Sequence, residues 1–396
     1  MKTAIINGKI LTSDRELQGY ALVFEGGKIC GIVSAEEINT SDFSVIDAQG
    51  GYVGAGWIEL HSHGIAGVDF MDADPEANLR AMEAYAEHGV TGVFPTTLSA
   101  PFPEIRRALD ALAHTDFSSC KGAELLGIHL EGPYFSREQR GAQPLDALST
   151  PQDLEYVELI KEYPFIRRID TAPELSGSAH MAQYLREKGV ICGIAHTDAD
   201  ADVITHAEEG LYPIATHLYS GMSGVHRVDG FRRAGAVEGC LLRDDIYCEA
   251  ICDGIHLPPE LLKLVYKVKG ADKMILVSDS VRGADLPEET DFVMGNKETG
   301  TRAIASDGVA WLPDRSAFAG SVATFDRLVR TAVTQADIPL VDAVKMSSLT
   351  PARAMGLSDK GALAEGYDAD ITVFDENINI MLTIVGGKIV YSKKEL

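Results

Sequence analysis

Between Trp57 and Ser278 the chain alternates short, nearly unbroken apolar runs with longer stretches that are apolar on one side only. The apolar runs stand at residues 57–61, 91–97, 125–130, 166–171, 190–195, 212–216, 246–252 and 274–278. Their length suits strands, and strands apolar on both faces are those of a parallel sheet covered on both sides. Helical periodicity lies between most of them, at 77–87, 104–113, 178–188 and 259–268. Eight strand-then-helix units over about 300 residues predict a (β/α)8 barrel. An open doubly wound sheet is the lesser alternative, because no glycine-rich dinucleotide loop follows the first strand.

The two ends have a different texture. Residues 3–6, 21–24, 29–33 and 44–47 are short strand-like runs broken by turns at Asn7-Gly8 and Gly26-Gly27, and residues 371–374, 378–385 and 389–392 repeat the pattern around Gly386-Gly387. Each end is too small to fold alone. The expected arrangement is one β-sandwich, built from residues 1–52 and 361–396, flanking a barrel of residues 53–360.

Charge narrows the partners. With 35 basic against 59 acidic residues, the net charge of −24 argues against nucleic acid and against an anionic membrane surface. No apolar run approaches a membrane span, and the first ten residues read as a strand and turn rather than a signal peptide. The six cysteines (30, 120, 192, 240, 248 and 252) are scattered and mostly within apolar segments, which suits buried free thiols in the cytoplasm.

Candidate chemistry begins at Glu59-Leu-His61-Ser-His63-Gly. Side chains two apart on a strand share a face, so His61 and His63 can grip one ion together. Glu131, His196, His217 and Asp279 each directly follow an apolar run, which in a barrel puts all six at the C-terminal ends of strands, where this fold carries its active sites. Nitrogen and carboxylate ligands without cysteine suit zinc or a similar divalent ion, one or two per chain, with Glu131 as a bridge between a His61/His63 site and a His196/His217 site. Asp279 is placed to take a proton from the attacking water and hand it to a leaving amine, while His256 is placed to stabilise an oxyanion or orient the substrate. Hydrolysis of an amide C–N bond uses all of these parts. His88, His114, His180 and His206 read as surface or helix-packing residues.

His129-Leu-Glu131-Gly-Pro133, Thr171-Ala-Pro-Glu174, Ala195-His196-Thr197, Ala215-Thr216-His217-Leu218-Tyr219, Asp253-Gly-Ile-His256 and Val277-Ser-Asp279 resemble, in order, the motifs of the N-acetylglucosamine-6-phosphate deacetylases, amidohydrolases in the wider sense. The resemblance implies Glu131, His196 and His217 as metal ligands and Asp279 as catalytic acid and base. It also implies His256 against the scissile acetyl group within a substrate-binding stretch Asp253, Gly254, Ile255 and His256, and a late loop Phe318, Ala319 and Gly320 on the sugar. His61 and His63 are similar to the two-metal members.

The chain departs from the family where the substrate is read. Ser220 and Gly221 stand where an asparagine and an alanine approach the phosphate, and Gly141-Ala142-Gln143 replaces Gly-x-His. The stretch 225–233 is longer and more basic than usual, so either Arg227 or Arg232 aligns with the phosphate-binding arginine. The implied activity is removal of the N-acetyl group from an amino-sugar phosphate in a homodimer. The departures predict a shift towards an epimer such as N-acetylgalactosamine 6-phosphate. Another N-acyl or cyclic-amide hydrolase, or a non-catalytic paralogue, are the competing readings.

Overall fold

The computed structural model describes residues 2–393; Met1 and residues 394–396 lie outside the described residues, and with them the outer limits of the expected terminal segments. Eight parallel strands, Trp57–Ser62, Val90–Thr97, Ile128–Tyr134, Ile166–Thr171, Ile191–Ile194, Ile214–Ala215, Tyr247–Ile251 and Met274–Val277, pair in chain order. The first and eighth meet at their C-terminal ends: the Asp279 N–H donates to the His61 carbonyl at 2.9 Å, and Ser62 bridges Ser280. The barrel is therefore nearly closed, and its seam lies among the candidate ligands.

Every expected barrel strand is present, with one displaced. Residues Glu124–Leu125 pair only with the second strand, and the third strand proper starts at Ile128. Gly127 makes the break: its φ is +148°, and a Cβ there would lie 2.3 Å from Arg167 Cγ. The helices Pro75–Glu87, Phe102–His114, Ser178–Glu187 and Pro259–Lys269 match the periodic stretches. Three of them open on a proline in the first turn, and the Asp74 carboxylate caps the first by accepting from the Glu76 and Ala77 N–H groups.

The termini build two sheets over a shared core. Thr3–Ile6, Tyr20–Glu25, Lys28–Ser34 and Ser44–Asp47 form one, entirely N-terminal. In the other, Lys9–Leu11, Glu16–Leu17 and Tyr52–Ala55 continue into Ile371–Phe374, Ile380–Val385 and Lys388–Ser392. Ile5, Leu22, Phe24 and Val53 pack with Ile371, Leu382 and Ile384 between them. The run expected from 378 starts at Ile380, because Ile378 turns the chain with φ +61°.

Two further elements bear on the site. A four-stranded antiparallel sheet, Thr290–Met294, Thr301–Ser306, Val309–Trp311 and Phe318–Ser321, follows the eighth strand; its last strand joins the seam through a Ser280–Ser321 bridge. The hairpin His226–Val228 and Phe231–Arg233 stands out from the barrel with Phe231 73 % exposed.

The barrel interior carries charge. Arg168, fully buried, donates to Asp170 and to Glu249, and Asp170 also accepts from Thr216 and pairs with His129. Burial opposes ionisation of both carboxyls, yet the Arg168 guanidinium prevails and holds Glu249 at about 2 and Asp170 well below the usual carboxylate range. Glu59 lacks such a cation, and burial pushes it up to about 8 although the backbone of His61 and Ser278 donates to it.

Candidate active site

All six ligands expected on the rim converge. Glu131 Oε1 lies 2.9 Å from His217 Nε2, 3.1 Å from His196 Nε2 and 3.7 Å from His61 Nε2, and its Oε2 lies 3.3 Å from His63 Nε2. Asp279 Oδ1 lies 3.4 Å from His61 Nε2 and 3.3 Å from His63 Nε2. His196, His217 and Asp279 have φ of +45°, +30° and +50°. Left-handed backbone at three non-glycine residues turns the chain sharply at the strand exits, the kind of strain that gathers at functional sites.

Hydrogen bonds behind the imidazoles choose the nitrogen that faces inward. His63 Nδ1 lies 3.2 Å from the Thr96 carbonyl, and His196 Nδ1 lies 2.8 Å from that of Gln139. Each Nδ1–H donates backwards, so each Nε2 is the atom that faces the carboxylates and is free to serve as a ligand when an ion takes the place of its proton. Both nitrogens of His61 and the Nδ1 of His217 are buried without a hydrogen-bond partner.

Burial pulls the His63 imidazole down, but the Asp279 and Glu131 carboxylates outweigh it and push it up to about 10. The same contest, with Glu131 the main anion, puts His217 at about 9. Burial would raise Glu131 and Asp279, and the surrounding imidazoles hold both below their ordinary range. Protons here do what a divalent cation does: they neutralise two buried carboxylates. The donor set fits such an ion, since His61, His63 and Asp279, and again His61, Glu131 and His217, each offer ligand atoms within 4.8 Å of one another.

A cavity of about 210 Å³ opens beside these groups. Ala142, Gln143, Ser220, Gly221, His256, Phe318 and Gly320 line it, as expected from the resemblance, together with Leu98, Val281, Met294 and Ala317, which nothing in the sequence singled out. Ala319, Gly254, Ile255 and Asp253, also expected there, do not line it. Asp253 serves His256 instead: its Oδ2 accepts from His256 Nδ1 at 2.7 Å and from Ser321 Oγ at 3.0 Å, and its Oδ1 accepts the Ile255 and His256 N–H groups.

The basic stretch is not at the cavity of its own chain. Arg227 and Arg232 face each other across the exposed hairpin, and the wall of the cavity contains neither lysine nor arginine. The replacement of the family's alanine by Gly221 is expected from the sequence to open volume at the phosphate, but the missing methyl leaves no open space, because a Cβ there would lie 2.6 Å from His196 Nδ1.

Other histidines divide. His114, His180 and His206 remain outside the site, but His88 is no free surface residue: its Nδ1 lies 3.0 Å from Asp326 and its Nε2 3.5 Å from Asp285. The six cysteines are free, four of them buried. Among the described residues no helix is long and apolar enough to cross a membrane.

The sequence matches the Amidohydrolase family over residues 52–390. It is 34% identical to an N-acetylglucosamine-6-phosphate deacetylase of Lysinibacillus sphaericus over 92% of this chain and 91% of that one. It is 28% identical to an N-acetylgalactosamine-6-phosphate deacetylase of Shewanella over 98% and 95%. The crystal structure of an N-acetylglucosamine-6-phosphate deacetylase from Pasteurella multocida superimposes with a TM-score of 0.90 at 29% identity, covering 99% of this chain and all of that one. With the barrel, the converging imidazoles and carboxylates, and these matches along nearly its whole length, the chain belongs to the amidohydrolase family, in its N-acetylglucosamine-6-phosphate deacetylase branch.

Proposed function

We propose that the protein removes the N-acetyl group of an amino-sugar 6-phosphate, N-acetylglucosamine 6-phosphate first, giving the amino-sugar phosphate and acetate in the cytoplasm. The observation that carries this is the meeting of His61, His63, His196 and His217 with Glu131 and Asp279, all but the buried His61 at the wall of one cavity. Those six residues would hold one or two divalent ions, zinc being the best match to imidazole and carboxylate. Such an ion supplies Lewis acidity and a competent water nucleophile at neutral pH.

The chain's own groups do the rest. Asp279 takes the proton of the attacking water and delivers it to the amide nitrogen as the C–N bond breaks. His256 faces the acetyl oxygen with Nε2 as charge builds there, and Asp253 fixes the ring through Nδ1. Residues 53–360 carry this machinery, and the two terminal segments brace it as one sandwich.

The phosphate needs a cation that the cavity wall lacks. We assign it to Arg227 or Arg232 of a second copy in a homodimer, a reading supported by the exposed apolar residues Val225, Val228 and Phe231 around those arginines. A second substrate, N-acetylgalactosamine 6-phosphate, is favoured by the changed wall residue Ser220 and by the similarity to the Shewanella deacetylase. Acetate release measured across both epimers, each with and without phosphate, tests the reading. Deacetylation of neither phosphorylated epimer by metal-loaded protein would overturn it.

A further inference from the structure

Gln143 ends the loop that follows the third strand and is 4 % exposed. Its side-chain oxygen accepts the Ser99 N–H at 2.9 Å, and its amide nitrogen donates to Glu131 Oε2 at 2.6 Å. Because a backbone N–H can only donate, the oxygen end of the amide belongs to Ser99 and the NH2 end to Glu131. Both ends of the side chain are therefore committed inside the protein, although Gln143 also stands in the cavity wall.

The two oxygens of Glu131 have different surroundings. Oε1 faces His196 and His217, with His61 Nε2 farther off at 3.7 Å, whereas Oε2 is shared between Gln143 and His63. A glutamate carboxylate rotates freely about its last torsion unless something holds its plane. Here a neutral donor holds it, one that can neither surrender a proton to the carboxylate nor compete with it as an anionic ligand.

We infer that Gln143 is a positioning residue for Glu131, locking the carboxylate so that Oε1 faces His196, His217 and His61 while Oε2 faces His63. This rests on the metal-hydrolase reading and deepens it. Removing an outer partner of a metal ligand typically weakens metal binding about 10–100-fold.

The test is equilibrium titration of metal-free protein with cobalt(II), followed by visible absorption, in which no substrate takes part. Failure of the substrate assignment therefore leaves it readable. Gln143→Met keeps the length and removes the donor, and its cobalt affinity should fall by the stated factor with an altered spectrum. Gln143→His restores one N–H and should recover most of the affinity, and it serves as the deciding variant if the methionine form fails to fold. Cobalt binding within twofold of the unmutated protein in Gln143→Met would overturn the inference. So would a histidine variant as weak as the methionine one, or a raised KM with an unchanged cobalt spectrum, which would mark Gln143 as a substrate contact.

Discussion

Gly221→Ala is a one-carbon change whose cost can be worked from the fold. Gly221 has φ +58°, and a Cβ there would lie 2.6 Å from His196 Nδ1, 2.8 Å from the Gln139 carbonyl and 3.1 Å from His196 Cε1. Left-handed backbone costs a residue with a side chain about 1–2 kcal/mol. Forcing a methyl into filled space costs about 1–3 kcal/mol more, so together roughly 2–5 kcal/mol is expected. The atoms that must yield are the imidazole of a candidate metal ligand and the carbonyl that fixes its tautomer. The penalty should therefore fall partly on folding and partly on metal binding. Urea unfolding of metal-free and metal-loaded protein separates the two, since the ion's stabilisation is the difference between the curves. Gly224→Ala is the control: nothing lies within 4 Å of its Cβ, and its effect should stay within about 0.5 kcal/mol. A Gly221→Ala protein as stable as the control, with unchanged metal binding, would refute the argument. Gly221 would then be an adjustment to substrate after all.

Other outcomes follow from the same geometry. Asp279→Asn should lower kcat by at least about 10²–10⁴-fold with the circular dichroism spectrum unchanged, and near-normal turnover would move the proton transfer elsewhere. Elemental analysis after metal loading should approach two ions per chain; one ion with full activity would remove the bridging role of Glu131. Arg227→Ala or Arg232→Ala should reduce the preference for phosphorylated over free sugar by about one to two powers of ten, the worth of a charge-assisted contact of about 1.5–3 kcal/mol; no such preference in the unmutated enzyme would eliminate the clamp. His88 is held at about 9 because, although burial lowers it, Asp285 and Asp326 more than compensate. Since the folded value exceeds the unfolded one of about 6.5, its stabilisation is full below that pH and is lost as pH rises through about 9. His88→Gln should flatten that part of the unfolding free energy measured against pH, and an unaltered profile would contradict the ion pairing.

The sequence by itself determined the barrel and most of its rim. Strand-length apolar runs separated by one-sided helices admit few packings, and ligands that directly follow those runs must emerge at one end of a parallel barrel. His61, His63, Glu131, His196, His217 and Asp279 were legible for that reason. What the sequence withheld depends on contacts between distant segments. Nothing near Gln143 announces that Ser99 and Glu131 will hold its two ends, and nothing near Arg168 announces that Asp170 and Glu249 will neutralise it inside the barrel. Residues 290–321 form a sheet tied to the seam through the Ser280–Ser321 bridge and to Arg282, which donates to the Val293 and Gly295 carbonyls, so Met294 and Ala317 reach the cavity without any local signal. The basic stretch shows the same limit from the other side. Its charges were evident, but only the tertiary structure placed its arginines on an exposed hairpin away from the cavity of their own chain. Periodicity records which face of an element is buried; which groups meet across the fold is decided by closure of the barrel, which brings residues more than two hundred positions apart, such as His61 and Asp279, into direct contact.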